Sequence, residues 1–244
     1  PPPPPPPPPP HNTLYLSSAA SDVYKRQLWP FSDQRFAWNT ISIIDPLFTL
    51  PLLLAVVLAA RMRKPVLARF GLAWAVVYMG LGLVQREAAE EMGYALAAQR
   101  GHQPIRLEAK PSFANILVWK TVYETEDRYY VDGVRATLRP RVFAGNTVEK
   151  LVLDRDMPWL DPQSQQARDV ERFRWFSNGY IARDPVYSNR VMDIRYSLLP
   201  NEIDPLWSIE LKPEAALRDH ALYKTHRDGG PDRASVLWEM ITGR

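Results

Sequence analysis

The chain has 244 residues and carries 30 lysines and arginines against 27 aspartates and glutamates. The formal net charge of +3 is too small to indicate nucleic-acid binding. With no cysteine, the sequence excludes a disulfide framework and any chemistry that depends on a thiolate.

Residues 1–27 stand apart from the rest of the chain. Ten prolines come first, and residues 17–27 (SSAASDVYKRQ) resemble a translated sequencing-library adapter. We therefore expect residues 1–27 to be a disordered, non-native artefact, with the genuine sequence beginning near Leu28 and truncated upstream. The alternative is a natural proline-rich tail, which would form an extended polyproline spacer.

Residues 28–103 are predicted to hold an interfacial segment and two membrane helices. Four aromatic residues before the helices are typical of a bilayer interface: Trp29, Phe31, Phe36 and Trp38. The second apolar arm, residues 66–84, has one charge, Arg69, and meets the length of about 20 residues that a spanning helix needs. The first arm, from Pro46, reaches that length only if residues 41–44 join it. The predicted partner is therefore the lipid bilayer.

Local signals predict where these helices begin, bend and end. Asp45 before Pro46 predicts an N-cap, and Pro51 predicts a kink. The second helix should continue to about Gln99 and stop at Gly101. A face of small residues should let the two helices approach closely: Ala68, Gly71, Ala75 and Gly82.

Residues 104–244 are rich in strand patterns without a βαβ rhythm. We predict a hairpin of residues 115–123 with 128–138, a weaker strand at 148–153, and antiparallel pairing of 192–198 with 207–211. Helices are expected from Asp161 to about Gly179 and over residues 232–241. Trp119, Ile194, Tyr196 and Trp207 should be buried, while Asp193, Arg195 and Ser197 take the polar face of a half-buried strand. The fold class is thus an α+β membrane protein: a hydrophobic helix hairpin followed by an antiparallel-sheet α+β domain.

Three motifs occur in a recognisable order: Pro30-Phe31-Ser32 with Arg35-Phe36, then residues 43–49 (IIDPLFT), then residues 115–120 (NILVWK). Their order and spacing resemble the inner-membrane-associated, metal-dependent hydrolases of the YdjM type. The resemblance runs from Leu28 to the C-terminus. It implies a bacterial inner-membrane protein that uses a divalent metal ion for hydrolysis.

Members of that family carry an upstream histidine-rich segment, His-Arg-x-x-Ser/Thr-His, whose side chains are the presumed metal ligands. The histidines of this chain are His11, His102, His220 and His226, and none lies in such a segment. His220 and His226 are six residues apart, which is not the spacing of a helical metal site. We therefore expect this fragment to lack the metal-ligand segment, to bind no metal and to be inactive by itself.

Two residues are candidates for a site by their match to the family pattern. Asp45 is either the N-cap of its helix or a carboxylate that contacts the metal or orients a ligand, since a carboxylate at membrane depth is a functional candidate. Arg35 either pairs with Asp45 or binds an anionic substrate, or it contacts lipid phosphate.

The alternative function is that of a non-enzymatic membrane-anchored protein whose C-terminal domain binds a partner or an envelope component.

Basic residues predict the orientation of the protein in the membrane. They cluster at the turn between the helices, which predicts a cytoplasmic turn and a periplasmic domain over residues 104–244.

Overall fold

The computed structural model describes residues 38–227 and 231–243. From Asn39 onward the chain forms a compact unit. The predictions for residues 1–27, and the candidate Arg35, lie outside the described residues.

In the part of the chain that the structure describes, two apolar helices come first, as the sequence predicts. Helix α1 (Pro46–Met62) ends where Arg63 takes a left-handed backbone with φ of 53°, and α2 (Pro65–Gln99) follows after one further residue. Residues 41–44 stay outside the helix, so α1 has 17 residues and the helix continues through Pro51. Helix α2 ends as predicted, with Gly101 at φ of 74° after it. Among the helices within the described ranges, α2 is long and apolar enough to cross a bilayer, and α1 is shorter.

The buried face of α2 is lined by small residues and one tyrosine: Gly71, Tyr78, Gly82, Ala89, Gly93 and Ala97. These positions are seven and four residues apart, close to two turns and one turn of helix, so they lie on one stripe. Ala68 lies one turn before Gly71 near the same stripe, but it is exposed, so the prediction that it contributes to the close approach of the helices is wrong. Gly71 and Gly82 lie on it as predicted.

The first sheet contains five antiparallel strands. They are β1 (Arg106–Pro111), β2 (Val118–Glu124), β3 (Arg128–Arg135), β4 (Arg141–Phe143) and β5 (Thr147–Glu149). The order is β1-β2-β3-β4, with β5 also paired to β3. The pairing of β2 with β3 confirms the predicted hairpin. Strand β1 was not predicted.

The C-terminal half of α2 packs on this sheet. Ala89 contacts a core that includes Trp119 and Val134, and Met92 and Leu96 pack against the same core. Trp119 is fully buried, as predicted.

The second sheet has four antiparallel strands in the order β6-β7-β8-β9. These are β6 (Ile181–Arg183), β7 (Arg190–Asp193), β8 (Trp207–Glu210) and β9 (Leu222–Thr225). Strand β7 pairs with β8 through Val191 opposite Ile209, which confirms the predicted antiparallel partners. The strand begins two residues earlier than predicted, and it ends at Asp193 because the backbone turns there. Ile194 and Trp207 are buried, whereas Tyr196 is half-buried.

Three further helices lie in the described residues: α3 (Leu153–Asp156), α4 (Gln165–Phe176) and α5 (Pro231–Thr242). Helix α4 begins after Ser164, whose Oγ accepts from the Ala167 N–H at 3.1 Å. The predicted start at Asp161 is wrong, because that carboxylate accepts from the Gln163 N–H and closes a turn instead. Helix α5 confirms the predicted closing helix.

Candidate functional site

Asp45 lies at the N-terminus of α1 and is 3% exposed. Its Oδ1 accepts from the Phe48 N–H at 3.1 Å, which is the predicted N-cap bond. The Tyr78 hydroxyl of α2 donates to the same carboxylate, 2.9 Å from Oδ2 and 3.0 Å from Oδ1. The carboxylate therefore joins the start of α1 to the middle of α2.

Aromatic rings surround this contact. The Tyr78 ring lies 5.6 Å from that of Phe48 and 5.5 Å from that of Trp74, centroid to centroid. The Trp74 Nε1–H donates to the Phe48 carbonyl at 3.4 Å. Both Asp45 oxygens are thus engaged within an apolar surround, and this geometry fits the cap function of Asp45 better than metal ligation.

The described histidines lie in separate places. The His102 Nδ1 is 2.9 Å from the Tyr123 hydroxyl, the His220 Nδ1 is 2.8 Å from an Asp169 oxygen, and the His226 Nε2 is 2.8 Å from the Ser208 Oγ. Within residues 38–227 and 231–243, no three histidine, aspartate or glutamate side chains form a group that would hold a metal ion. The described residues therefore do not fit a hydrolytic metal centre.

A polar centre that the sequence did not predict lies between the two sheets. Lys120 of β2 is 3% exposed, and its Nζ lies 2.7 Å from the Ser197 Oγ and 2.7 Å from the Glu202 carbonyl oxygen. Both partners belong to the segment between β7 and β8. These hydrogen bonds of Lys120 connect the first sheet to the segment between β7 and β8 of the second sheet.

Burial lowers the pKa of Lys120 to about 7, because an ammonium loses its hydration in the interior. Lys110, which lies opposite Lys120 in the β1–β2 ladder, lowers the pKa further. Asp193, Glu202 and Asp204 act in the opposite direction. The sequence signal that could have indicated this polar centre was a lysine, Lys120, within a strand that is otherwise apolar on both faces.

A buried ion pair lies beside this centre. Asp193 and Arg195 are 0% and 1% exposed, and the Arg195 guanidinium donates to both Asp193 oxygens, with Nη2 at 2.6 Å from Oδ2. The Trp207 Nε1–H donates to the same carboxylate at 2.9 Å. The prediction that these two charged residues take the polar face of a half-buried strand is wrong, because the chain turns after Asp193 and folds both side chains inward.

Comparison of the chain with models of known protein families, with characterised proteins and with solved structures found no match.

Proposed function

We propose that the α1–α2 hairpin anchors the protein in a lipid bilayer and holds the two-sheet region at the membrane surface. The observation that carries this proposal is the outward face of the hairpin. Its large apolar side chains are exposed: Leu47, Leu50, Leu53, Leu54, Val56, Val57, Val66, Phe70, Leu72, Val76, Val77, Leu81 and Val84. A contiguous apolar surface of this kind marks a membrane or partner interface.

The inward side of the hairpin supports the same function. Lipid offers no hydrogen bonds, so a polar group at membrane depth needs a partner within the protein. The Asp45 carboxylate and the Tyr78 hydroxyl satisfy one another across the two helices. The apolar part of α2, residues 66–84, has the length of a spanning segment.

Carbonate extraction of membranes that contain the full chain tests the anchor. We expect the protein to stay in the membrane pellet and to float with vesicles. Lysine at two outward positions, Leu54→Lys with Val76→Lys, should release a large fraction, because each charge costs about 3 kcal/mol at the centre of a bilayer. Leu138→Lys is the matched control, since Leu138 is fully exposed and lies outside the hairpin. A monodisperse wild-type chain in detergent-free buffer would overturn the proposal.

For the activity, the family resemblance supports a metal-dependent hydrolase of the bacterial inner membrane. On that resemblance the metal ligands come from a histidine-rich segment upstream of Leu28. The test is a longer chain that includes a His-Arg-x-x-Ser/Thr-His segment. Hydrolysis that needs a divalent metal and is lost when those histidines are replaced would support the enzyme. Absence of that segment would favour the alternative, a domain that binds a partner or an envelope component.

A further inference from the structure

Lys120 and Ser197 have the geometry of a base beside a nucleophile. The Lys120 Nζ lies 2.7 Å from the Ser197 Oγ, within the distance over which a proton passes from a hydroxyl to an amine. Lys120 is almost fully buried, whereas Ser197, in the segment between β7 and β8, is half-buried. The base is therefore shielded from water, and Ser197 is the more exposed residue of the pair.

The charges around Lys120 come from several elements. Lys110 of β1 repels a positive charge, while Asp193 of β7 and two acidic residues before β8, Glu202 and Asp204, attract one. Burial outweighs the attraction and brings the pKa of Lys120 to about 7. A base whose pKa is near the working pH exists in large part as the neutral amine and is strong enough to accept a proton.

The hydrogen bonds of Ser197 allow both protonation states. When Lys120 carries its charge, it donates to the Ser197 Oγ and the Glu202 carbonyl, and the Ser197 hydroxyl donates to the Leu199 carbonyl at 2.5 Å. When Lys120 is neutral, its lone pair becomes an acceptor and the hydroxyl rotates towards it. The Glu202 carbonyl holds the amine in place in both states.

We propose that Ser197 is an acyl-transfer nucleophile, that Lys120 is its general base, and that the pair cleaves an ester or amide bond. The Ser197 Oγ bonds to the acyl carbon while its proton passes to the Lys120 Nζ. The bond from the acyl carbon to the leaving alcohol or amine then breaks, and Lys120 returns the proton to that group. Water attacks the acyl-serine with Lys120 again taking the proton, the acid leaves, and Ser197 regains its hydroxyl proton. No metal takes part.

A second serine offers an internal comparison. The Ser208 Oγ lies 2.8 Å from the His226 Nε2, so this hydroxyl also has a basic partner. Ser208 is 0% exposed, however, and a substrate carbonyl has no approach to it. Exposure therefore distinguishes the two serines, and only Ser197 should react.

Labelling of the full chain in detergent with a fluorophosphonate probe tests the proposal. We expect one covalent adduct, located on Ser197 by peptide mass mapping, and the same labelling in the presence of a chelator. The labelling rate should rise about tenfold per pH unit below pH 7 and level off above it, because the neutral amine is the active form. Ser197→Ala should abolish the adduct, and Lys120→Met should slow labelling by at least about 100-fold. Ser208→Ala should label like the wild type.

Three results would overturn the proposal. The first is a folded wild-type chain that forms no adduct between pH 6 and 9. The second is an adduct on Ser208 or another serine in place of Ser197. The third is a folded Lys120→Met variant that labels as fast as the wild type, which would show that Lys120 only ties the sheets together. If Lys120→Met does not fold, the pH profile of the wild type decides, since a flat profile contradicts Lys120 as the base.

Discussion

At the scale of single residues, Asp45 combines a local and a distant contact. The sequence predicted the bond to the Phe48 N–H, because an aspartate before a proline is a helix-start signal. It gave no sign of the Tyr78 hydroxyl, which lies 33 residues further along the chain. The contact forms because the turn at residues 63–64 brings the middle of α2 beside the start of α1.

A double-mutant cycle measures this contact. Asp45→Ala should destabilise the hairpin in detergent by more than about 1 kcal/mol, since both the cap and the Tyr78 bond are lost. Tyr78→Phe removes only the cross-helix bond, and the coupling energy should be about 1 kcal/mol. Asp45→Asn keeps an acceptor for the Phe48 N–H and is the matched control. Additive effects of the two changes, measured by reversible unfolding, would contradict the contact.

Lys120 predicts a pH dependence of stability that does not depend on any activity. Its pKa is about 7 in the folded chain against the ordinary value of 10.5, so the unfolded chain binds more protons between those pH values. The free energy of unfolding should therefore rise with pH in this range, by at most about 1.4 kcal/mol per pH unit. Below about pH 7 this contribution is constant, because Lys120 is protonated in both states.

Chemical denaturation between pH 7.5 and 9 provides the measurement. The variant Lys120→Met removes the titrating amine, so its free energy of unfolding should not change with pH in this range. Methionine has a similar length and fills the same space. An equal slope in the variant and the wild type would assign the pH dependence to other groups.

At the scale of elements, the hairpin depends on close approach at glycine. A Cβ placed on Gly82 would lie 2.0 Å from the Thr40 carbonyl oxygen, whereas one on Gly80 would meet nothing within 4 Å. The two glycines are therefore a matched pair on the same helix, and only one of them is required by packing.

Gly82→Ala should destabilise the hairpin by about 1–3 kcal/mol, because residue 40 must move away from α2. Gly80→Ala should be neutral or stabilising by up to about 1 kcal/mol, since alanine favours the helix more than glycine does. Thermal unfolding of both variants in the same detergent makes the comparison. Equal effects would show that the contact between Thr40 and Gly82 contributes nothing to stability.

Some strands could be predicted from local sequence patterns and others could not. The β2–β3 hairpin was predictable because β2 is rich in β-branched and aromatic residues and its connection to β3 is short. Strand β1 was missed because Arg106, Glu108 and Lys110 give it a polar composition. Its place is decided by the edge of β2 and by Ala109 packing in the core beneath α2.

At the scale of the whole molecule, the charges at the hairpin turn predict its orientation. Arg61, Arg63, Lys64 and Arg69 cluster there, and such loops are retained in the cytoplasm. When both helices cross the bilayer, the two-sheet region lies in the periplasm. Alkaline phosphatase fused after Arg244 should then be active, and a reporter that fluoresces only in the cytoplasm should stay dark. Replacing Arg61, Arg63 and Lys64 with asparagine should reduce phosphatase activity, whereas fluorescence from the wild-type fusion would contradict the orientation.

Features that depend only on neighbours along the chain could be predicted from the amino-acid sequence. The apolar arms, the cap at Asp45, the stop near Gly101 and the β2–β3 hairpin all follow from local periodicity, capping and turn chemistry. The tertiary structure decided which polar groups are buried. Alternation assigned Asp193 and Arg195 to the polar face of a half-buried strand, but they form a buried pair. Lys120 acquires its environment from Ser197 and Glu202, more than 70 residues away in sequence. Such burial is stable only when distant partners replace water, and no local pattern specifies those partners.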